Sequence, residues 1–563
     1  MKLNRITASL ASTLILLSSA PMLVNAQSYE VVELPSANLS MNQFASSIDN
    51  TGLALTIVSA RFNQPIDLSK IDLDSVTLTD PEAAAQGDFN ATDLAILTSI
   101  IYSNTASNLA AGQKLAANTA YSTDGVDTNY VFGFDSESPA TTGFSYSLNT
   151  TLGDSVFGTH IIGSMPGPFN YIEYTNEEGT EVTYNVNQVK LRGFVQVNNE
   201  VHELLPPDTY LGGYSKANAI NTNYQVAGVA SVDVNDNIIS QKEACDEDET
   251  RGDIPLEACY YAITTATATS AFTGVTSDSY LPNVTRRAVV WQLDGNGSTL
   301  STDVYGLNFV PDDDNNIIFS NEANAINDLG QAVGVTTVEL LSTYSQAAAL
   351  FENGETVRLL EDDDLLPNTA TDINNNSLVT GYRSIEVNGV SRLKLFVYNI
   401  NTGELTLPDG FFLSSASLPR AINNNDIVVG DAEIDTENRR RNGFLYDISN
   451  DDFSNINDLI ACDSDYEIIA ANDINDNDEI IAEALVKRPL RDAKGEIFLD
   501  EDGEQVLQDA VIAVKLLPTG DSPETCELSD DEAAAIERQG ASMPIILLVS
   551  LAIFGLFRRY KTR

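Results

Sequence analysis

The 563-residue chain carries 81 acidic and 30 basic residues, a formal charge of −51. A surface this negative repels phosphate, which excludes nucleic acid as a partner. Its 43% hydrophobic content supplies a core and excludes a disordered chain.

The first element reads as a leader. Lys2 and Arg5 precede apolar and small residues over 6–20, and Val24-Asn25-Ala26 presents small side chains where a signal peptidase reads, so cleavage is expected after Ala26. The apolar run is shorter than the ~20 residues of a membrane span. The chain is therefore expected to be exported, to the cell surface or the extracellular space, with a repeat domain over 27–518 after the leader at 1–26. Tyr29-Glu30-Val31-Val32-Glu33-Leu34 reads as a strand, and Ser47-Ile48-Asp49-Asn50-Thr51-Gly52 as a strand end with a tight turn. Over 83–117 the pattern changes. Leu94, Ile96, Leu97, Ile100, Ile101 and Leu109 fall near helical spacing, which predicts a helical insertion at about 93–111, either covering a blade or capping a site.

A self-similar pattern dominates the rest of the chain: Ile-Asn, a polar turn, then glycine eight positions after the isoleucine. It occurs at Ile220-Asn221 to Gly228, Ile326-Asn327 to Gly334, Ile373-Asn374 to Gly381 and Ile422-Asn423 to Gly430. A fifth copy, Ile474-Asn475, has Ala482 at the glycine position. Apolar or aromatic strands come after each copy, such as Ala288-Val289-Val290-Trp291, Leu395-Phe396-Val397-Tyr398 and Gly443-Phe444-Leu445-Tyr446. Fainter units read at Val131-Phe132-Gly133 with Gly143-Phe144-Ser145-Tyr146, and at Ile161-Ile162-Gly163 with Gly193-Phe194-Val195. Asn and Asp tolerate left-handed backbone and close Asx-turns, and the glycine permits a bend or a close backbone approach. From Ile326 onward the units recur at 47, 49 and 52 residues, the length of a four-stranded antiparallel blade. The 106 residues from Ile220 to Ile326 make one repeat plus an insertion at about 238–262 holding Cys245 and Cys259. The expected fold is an all-β propeller of seven blades, or eight. The strand near residue 29 would complete the last blade against 511–516, leaving no exposed edge.

The alternation of Ala-Ile-Asn-x-x-Gly-x-Val-Val-Gly with an aromatic strand resembles the bacterial HAF-type extracellular repeats, whose His-Ala-Phe is replaced here by forms such as Gly443-Phe444-Leu445-Tyr446. With its ends included, the chain resembles a family of secreted bacterial proteins of unknown function that carries these repeats. The resemblance implies an exported β-repeat protein and brings no catalytic residues. After an acidic linker at 519–542, a hydrophobic segment at 543–563 ends in Arg558, Arg559, Lys561 and Arg563. This end resembles Gly-Gly-type sorting tails, with Gly540-Ala541 in place of the paired glycines. It is the one segment expected to meet a membrane, as a processed sorting signal or a retained anchor.

Four cysteines in an exported chain oxidise; the favoured pairs are Cys245 with Cys259 and Cys462 with Cys526, of three possible connectivities. No C-x₂-C occurs and the histidines are His160 and His202 alone, so zinc is not expected. No cofactor is expected, calcium being the one candidate. Its ligands would be Asp473, Asn475 and Asn477, which alternate oxygen groups, although Asp478 and Ala484 stand where an EF-hand has Gly and Glu. Asp233-Val234-Asn235-Asp236-Asn237 alternates similarly. Arg251-Gly252-Asp253 is an adhesion tripeptide or a chance match, and Arg439-Arg440-Arg441 is a solvated face or a grip for an anionic polymer. His160 lies in strand-like context and reads as structural. No G-x-S-x-G, H-E-x-x-H or Gly-rich phosphate loop appears. The expected function is non-enzymatic binding of an extracellular protein or glycan. The rivals are an extracellular enzyme acting on polysaccharide through channel carboxylates, and a calcium-stabilised surface structural protein.

Overall fold

The computed structural model describes residues 27–103, 113–135, 148–269, 276–311, 317–340, 343–360, 366–524 and 526. The expected leader and hydrophobic tail, the strand at 143–146 and the end of the predicted helix lie outside them.

Seven four-stranded antiparallel sheets form the blades of a propeller. Blade 1 is Asn42–Ile48, Ala54–Ser59, Asn118–Thr123 and Thr128–Val131. Blade 2 is Thr151–Val156, His160–Met165, Arg192–Val197 and Glu200–Leu204. Blade 3 is Ser215–Ile220, Gln225–Val234, Val284–Leu293 and Thr299–Tyr305. Blade 4 is Asn321–Ile326, Ala332–Leu340, Thr343–Glu352 and Glu355–Arg358. Blade 5 is Asn368–Ile373, Leu378–Val387, Val390–Asn399 and Leu405–Thr406. Blade 6 is Ser417–Ile422, Ile427–Glu433, Arg441–Asp447 and Asp452–Asn455. Blade 7 is Glu467–Ile474, Ile480–Pro489 and Leu507–Pro518, and its fourth strand is Tyr29–Glu33 from the other end of the chain. Val31 pairs with Leu516, so the expected closure is present. Seven, not eight, is the count because Val131 ends the fourth strand of blade 1 rather than opening a unit of its own.

Strands alternate in direction. Turns between strands one and two, and three and four, therefore lie on one side of the ring, here the turn side. Connections from strand two to strand three lie on the other, the hairpin side. The first strand of every blade carries a β-bulge just before its last residues, between Ala45 and Ser47, Leu152 and Ser155, Ala217 and Ala219, and likewise around the ring. This bulge accounts for the repeat glycine. A Cβ at Gly381 would stand 2.2 Å from the Thr369 carbonyl and one at Gly430 2.1 Å from that of Leu418. Blade 7 has a second bulge, between Ile468 and Ala470, and there Ala482 replaces glycine. Phe396 and Phe444 pair directly across from Gly381 and Gly430 and fill the space they leave. The core lies between neighbouring blades, where Trp291, Phe351, Phe396 and Phe444 are fully buried.

The insertions sit on the hairpin side. In blade 1 the connection holds α1 (Pro81–Ala84) and α2 (Ala91–Ser103), the latter capped where the Asn90 Oδ1 accepts from the Asp93 N–H at 2.9 Å. In blade 3 it holds α3 (Asp236–Asp246), α4 (Asp248–Arg251) and α5 (Leu256–Thr264). Cys245 of α3 is bonded to Cys259 of α5, and Cys462 to Cys526. Two disulfides fit an oxidising compartment. Among the described residues no helix is long and apolar enough to cross a membrane.

Candidate functional site

The Ile-Asn turns meet around the channel mouth and are stitched together by their own amides. In each repeat the Asn side chain first closes its own turn: the Oδ1 of Asn374 accepts from the N–H groups of Asn376 and Leu378, both at 3.0 Å. A left-handed residue completes the turn, glycine at Gly52 and Gly330 but Tyr224, Ser377, Asp426 and Asp478 elsewhere. The Nδ2 then donates to the next blade. Asn221 donates to the Asn327 carbonyl, Asn327 to Asn374, Asn374 to Asn423, Asn423 to Asn475 and Asn475 to Asp49, at 2.8–3.0 Å. One residue on, a second ring runs in the same sense with backbone and side chain exchanging roles: the backbone N–H of Thr222, Asp328, Asn375, Asn424 and Asp476 each donates to the side chain of the next blade, ending on Asn50. Blade 2 interrupts both rings, because its turn is Phe157-Gly158-Thr159. There the polarity reverses, and Asp49 accepts from the Gly158 N–H.

Inside the mouth lies a cavity of about 400 Å³ lined by the turns and the bulged ends of the first strands. Besides the turn aspartates Asp49, Asp328 and Asp476, three carboxylates stand on its wall from the first strands. Asp154 accepts from the Ser47 hydroxyl, the Ser155 N–H and the Ile220 N–H. Asp372 accepts from the N–H groups of Ile373 and Ile422, both at 2.8 Å, and Asp473 from those of Ile474 and Ile48, both at 2.8 Å. Asp372 and Asp473 thus each bridge two blades and Asp154 three, with both oxygens engaged. Burial pushes Asp154 up to about 6 and Asp372 up to about 7, and raises Asp473 well above the usual carboxylate range, with repulsion from Asp49 adding at Asp154, from Asp154 at Asp372, and from both Asp154 and Asp372 at Asp473. Asn218, Asn324 and Asn472 donate to the carbonyls of Ala323, Ala370 and Ala45. Arg420 is the basic side chain of the lining, paired with Asp431 at 2.9 Å.

Of the residues singled out from the sequence, Asp473 is in this wall. Asn475 donates to the Asp49 carbonyl and Glu479, and Asn477 to the Asn50 carbonyl, so the amide nitrogens of the pair serve the blade seam. Among the described residues no group of three or more His, Cys, Asp or Glu side chains is placed to hold a metal ion. Asn235 caps α3 through the Ile238 N–H. Arg251 turns back onto Asp248 and the Cys245 carbonyl, while Asp253 accepts from Tyr174 and the Glu177 N–H, so both charged ends of the tripeptide are engaged within the chain. Arg439, Arg440 and Arg441 pair with Glu433, Asp435 and Asp431. His160 is buried beside Tyr224, its Nε2 3.2 Å from the Gly295 carbonyl. Sequence reading missed Asp154, Asp372, Arg420 and the bulge asparagines. The signal for Asp372 was present: it precedes Ile-Asn as Asp473 does, where Ala219, Ala325 and Ala421 stand in other blades.

Ring closure by the N-terminal strand, four-stranded blades and a turn-lined channel define a seven-bladed β-propeller repeat protein. The chain belongs to the DUF3466 family, described as a protein of unknown function, whose model matches residues 6–559. No curated protein matches it. Among solved structures it is similar to the β-propeller domain of the trilobed protease from Pyrococcus furiosus, at 11% identity over 67% of this chain and 98% of that one, TM-score 0.27. It is also similar to the phage phi92 endosialidase, at 7% identity over 90% and 71%, TM-score 0.31. An oligogalacturonate lyase in complex with manganese matches at 12% identity over 64% and 86%, TM-score 0.29.

Proposed function

We propose that the chain is an exported, non-enzymatic binding module whose ligand site is the channel mouth, and that the ligand is an extracellular protein or glycan. The observation that supports binding over catalysis is the state of the wall carboxylates. Asp154, Asp372 and Asp473 each have both oxygens committed to N–H or hydroxyl donors, Asp372 and Asp473 with one oxygen on the next residue of their own strand and the other across a blade seam, and Asp154 reaching both neighbouring blades. A general acid or base needs an oxygen free to meet substrate. The amides, hydroxyls and single arginine of the lining suit polar recognition instead. A polysaccharide-acting enzyme is the second reading, favoured by the raised values of Asp154 and Asp372, since a carboxyl that keeps its proton near neutrality is what a glycosidase acid requires. Export rests on the leader, the HAF-like repeats and the sorting-type tail, together with the two disulfides.

The test is an array of extracellular proteins and glycans probed with the purified chain and with Asp372→Ala, a change to the residue that three other blades carry at this place. A ligand bound by the parent and lost by the variant supports the site. A ligand bound equally by both overturns it, and shortening of the bound glycan moves the assignment to the enzyme. A melting temperature that rises with calcium and not with magnesium would favour the structural rival at Asp473, Asn475 and Asn477.

A further inference from the structure

The turn side is charged in one sense only. Its turns carry Asp49, Asp124, Asp294, Asp328, Asp426 and Asp476 among their acids, and no lysine or arginine occurs in any turn between strands one and two or three and four. Among the described residues Lys515 and Arg420 are the basic side chains at this level, and each is held by a carboxylate, Glu479 at 3.0 Å and Asp431 at 2.9 Å. Basic residues gather instead at the other end of the strands and in the hairpin-side connections, as at Arg286, Arg392, Arg441, Arg488 and Lys494. In the second ring of turn bonds Asp328 and Asp476 each accept one backbone N–H through Oδ1, as Asn375, Asn424 and Asn50 do in other blades. Their Oδ2 atoms accept further donors, the Asn375 amide at 2.8 Å on Asp328 and the Asn424 and Asn50 amides at 2.9 Å on Asp476.

A second observation lies within the cavity. Ser155, 5% exposed and part of the cavity lining, has its hydroxyl without a partner, in a wall of carboxylates, carbonyls, amides and hydroxyls whose one arginine, Arg420, is neutralised by Asp431 at 2.9 Å. An ammonium group offers three donors and no acceptor, which suits such a wall. The field extends over the whole ring of turns, far wider than the cavity, and so suits a long cation better than a small one.

We propose that the turn side receives a polycationic partner, a lysine-bearing protein segment, with one ammonium group entering the channel mouth. This rests on the channel mouth being the ligand site.

The test is fluorescence anisotropy of a labelled octalysine peptide with the purified full chain. Saturable binding is expected at 50 mM salt, weakening about tenfold or more at 300 mM as exposed charges are screened. Asp328→Asn with Asp476→Asn, which also gives up the amide bonds at Oδ2 and is therefore read below its own melting temperature, should weaken binding about fivefold. Asp500→Asn with Asp502→Asn, equal in charge but on the hairpin-side connection of blade 7, should change it less than about twofold. Asp372→Ala should weaken it about threefold through the cavity. Absence of saturable binding, or equal losses in the two double variants, overturns the proposal. An unchanged affinity in Asp372→Ala overturns the cavity contact, and tighter binding of a chitosan oligomer of equal charge overturns the peptide assignment. Array ligands that depend on Asp372 while octalysine fails would defeat this inference and leave the channel-mouth reading standing; array ligands indifferent to Asp372 would defeat that reading itself.

Discussion

Exchanging Asn374 for aspartate replaces one nitrogen by oxygen and tests the asparagine ring directly. The side chain is 3% exposed, and its Nδ2 lies 3.0 Å from the Asn423 carbonyl and 2.7 Å from the Asp426 carboxylate. The variant keeps both bonds that Oδ1 accepts and turns both donated bonds into contacts between acceptors. Two lost bonds cost about 2 kcal/mol. Two carboxylates about 3 Å apart repel by about 5 kcal/mol at an effective dielectric near 20, and a protein avoids this by keeping one proton on the pair. Holding that proton at pH 7 against an ordinary value near 3.9 costs about 4 kcal/mol, while the protonated oxygen restores one donor. The expected deficit is therefore about 5 kcal/mol at neutral pH, of which the one bond still lost, about 1 kcal/mol, does not depend on pH. The folded-state value of the new carboxyl is raised, so the remainder is absent below the unfolded value, grows as pH rises and is complete above the folded value. Urea unfolding monitored by the single tryptophan, Trp291, at pH 4.5 and 7.5 measures it. A deficit under about 1 kcal/mol at pH 7.5, or an equal one at both pH values, refutes the reasoning. Asp49 supplies the internal control, because at the same ring position it accepts from Gly158 and so should tolerate Asn poorly.

Gly381→Ala places its Cβ 2.2 Å from a carbonyl oxygen and 2.5 Å from the Phe396 ring, and should destabilise by about 3 kcal/mol, while Ala482→Gly in double-bulged blade 7 should cost under about 1 kcal/mol, both read by thermal melting. Cys462→Ser opens a 64-residue loop that contains the three consecutive strands of blade 7, and chain entropy sets the loss at about 4 kcal/mol in denaturant. Asp372 has a folded value raised to about 7, so its ionisation opposes folding as pH rises from about 4 to about 7. The stability gap between parent and Asp372→Ala, widest at pH 4 where the parent is uncharged and still bonded, should therefore narrow by about 2 kcal/mol by pH 8, part of the full effect being lost to water in the channel. A gap independent of pH would show that Asp372 titrates normally.

The ring was readable because five turns repeat Ile-Asn with its left-handed close, and because Tyr29–Glu33 is a strand with no partner nearby in the sequence. Blade 2 was faint for a physical reason: Val156-Phe157-Gly158 makes the same reversal without an asparagine, having a carboxylate from blade 1 to donate to. The misplaced unit at Val131 arose because an aromatic strand next to a glycine looks alike at the third and fourth position of a blade. The channel wall was largely illegible. Its composition depends on bulges that shift Asn218, Asn324 and Asn472 by one place, and a bulge leaves no mark in hydrophobic periodicity. Asp154 had no signal at all, since it serves in blade 2 from the residue before the one Asp372 occupies in blade 5.

A closed ring is commonly weakest where its two chain ends meet, but here both rails of amides cross that joint, from Asn475 to Asp49 and from Asp476 to Asn50, and a disulfide lies beside it. The rails stop at blade 2, whose turn is tied to blade 1 through Asp49 and which meets blade 3 through Asp154, His160 and Ser164 in their place. Breathing of the circle is thus displaced a full blade from the covalent break, and amide hydrogens of 157–163 should exchange before those of 29–33.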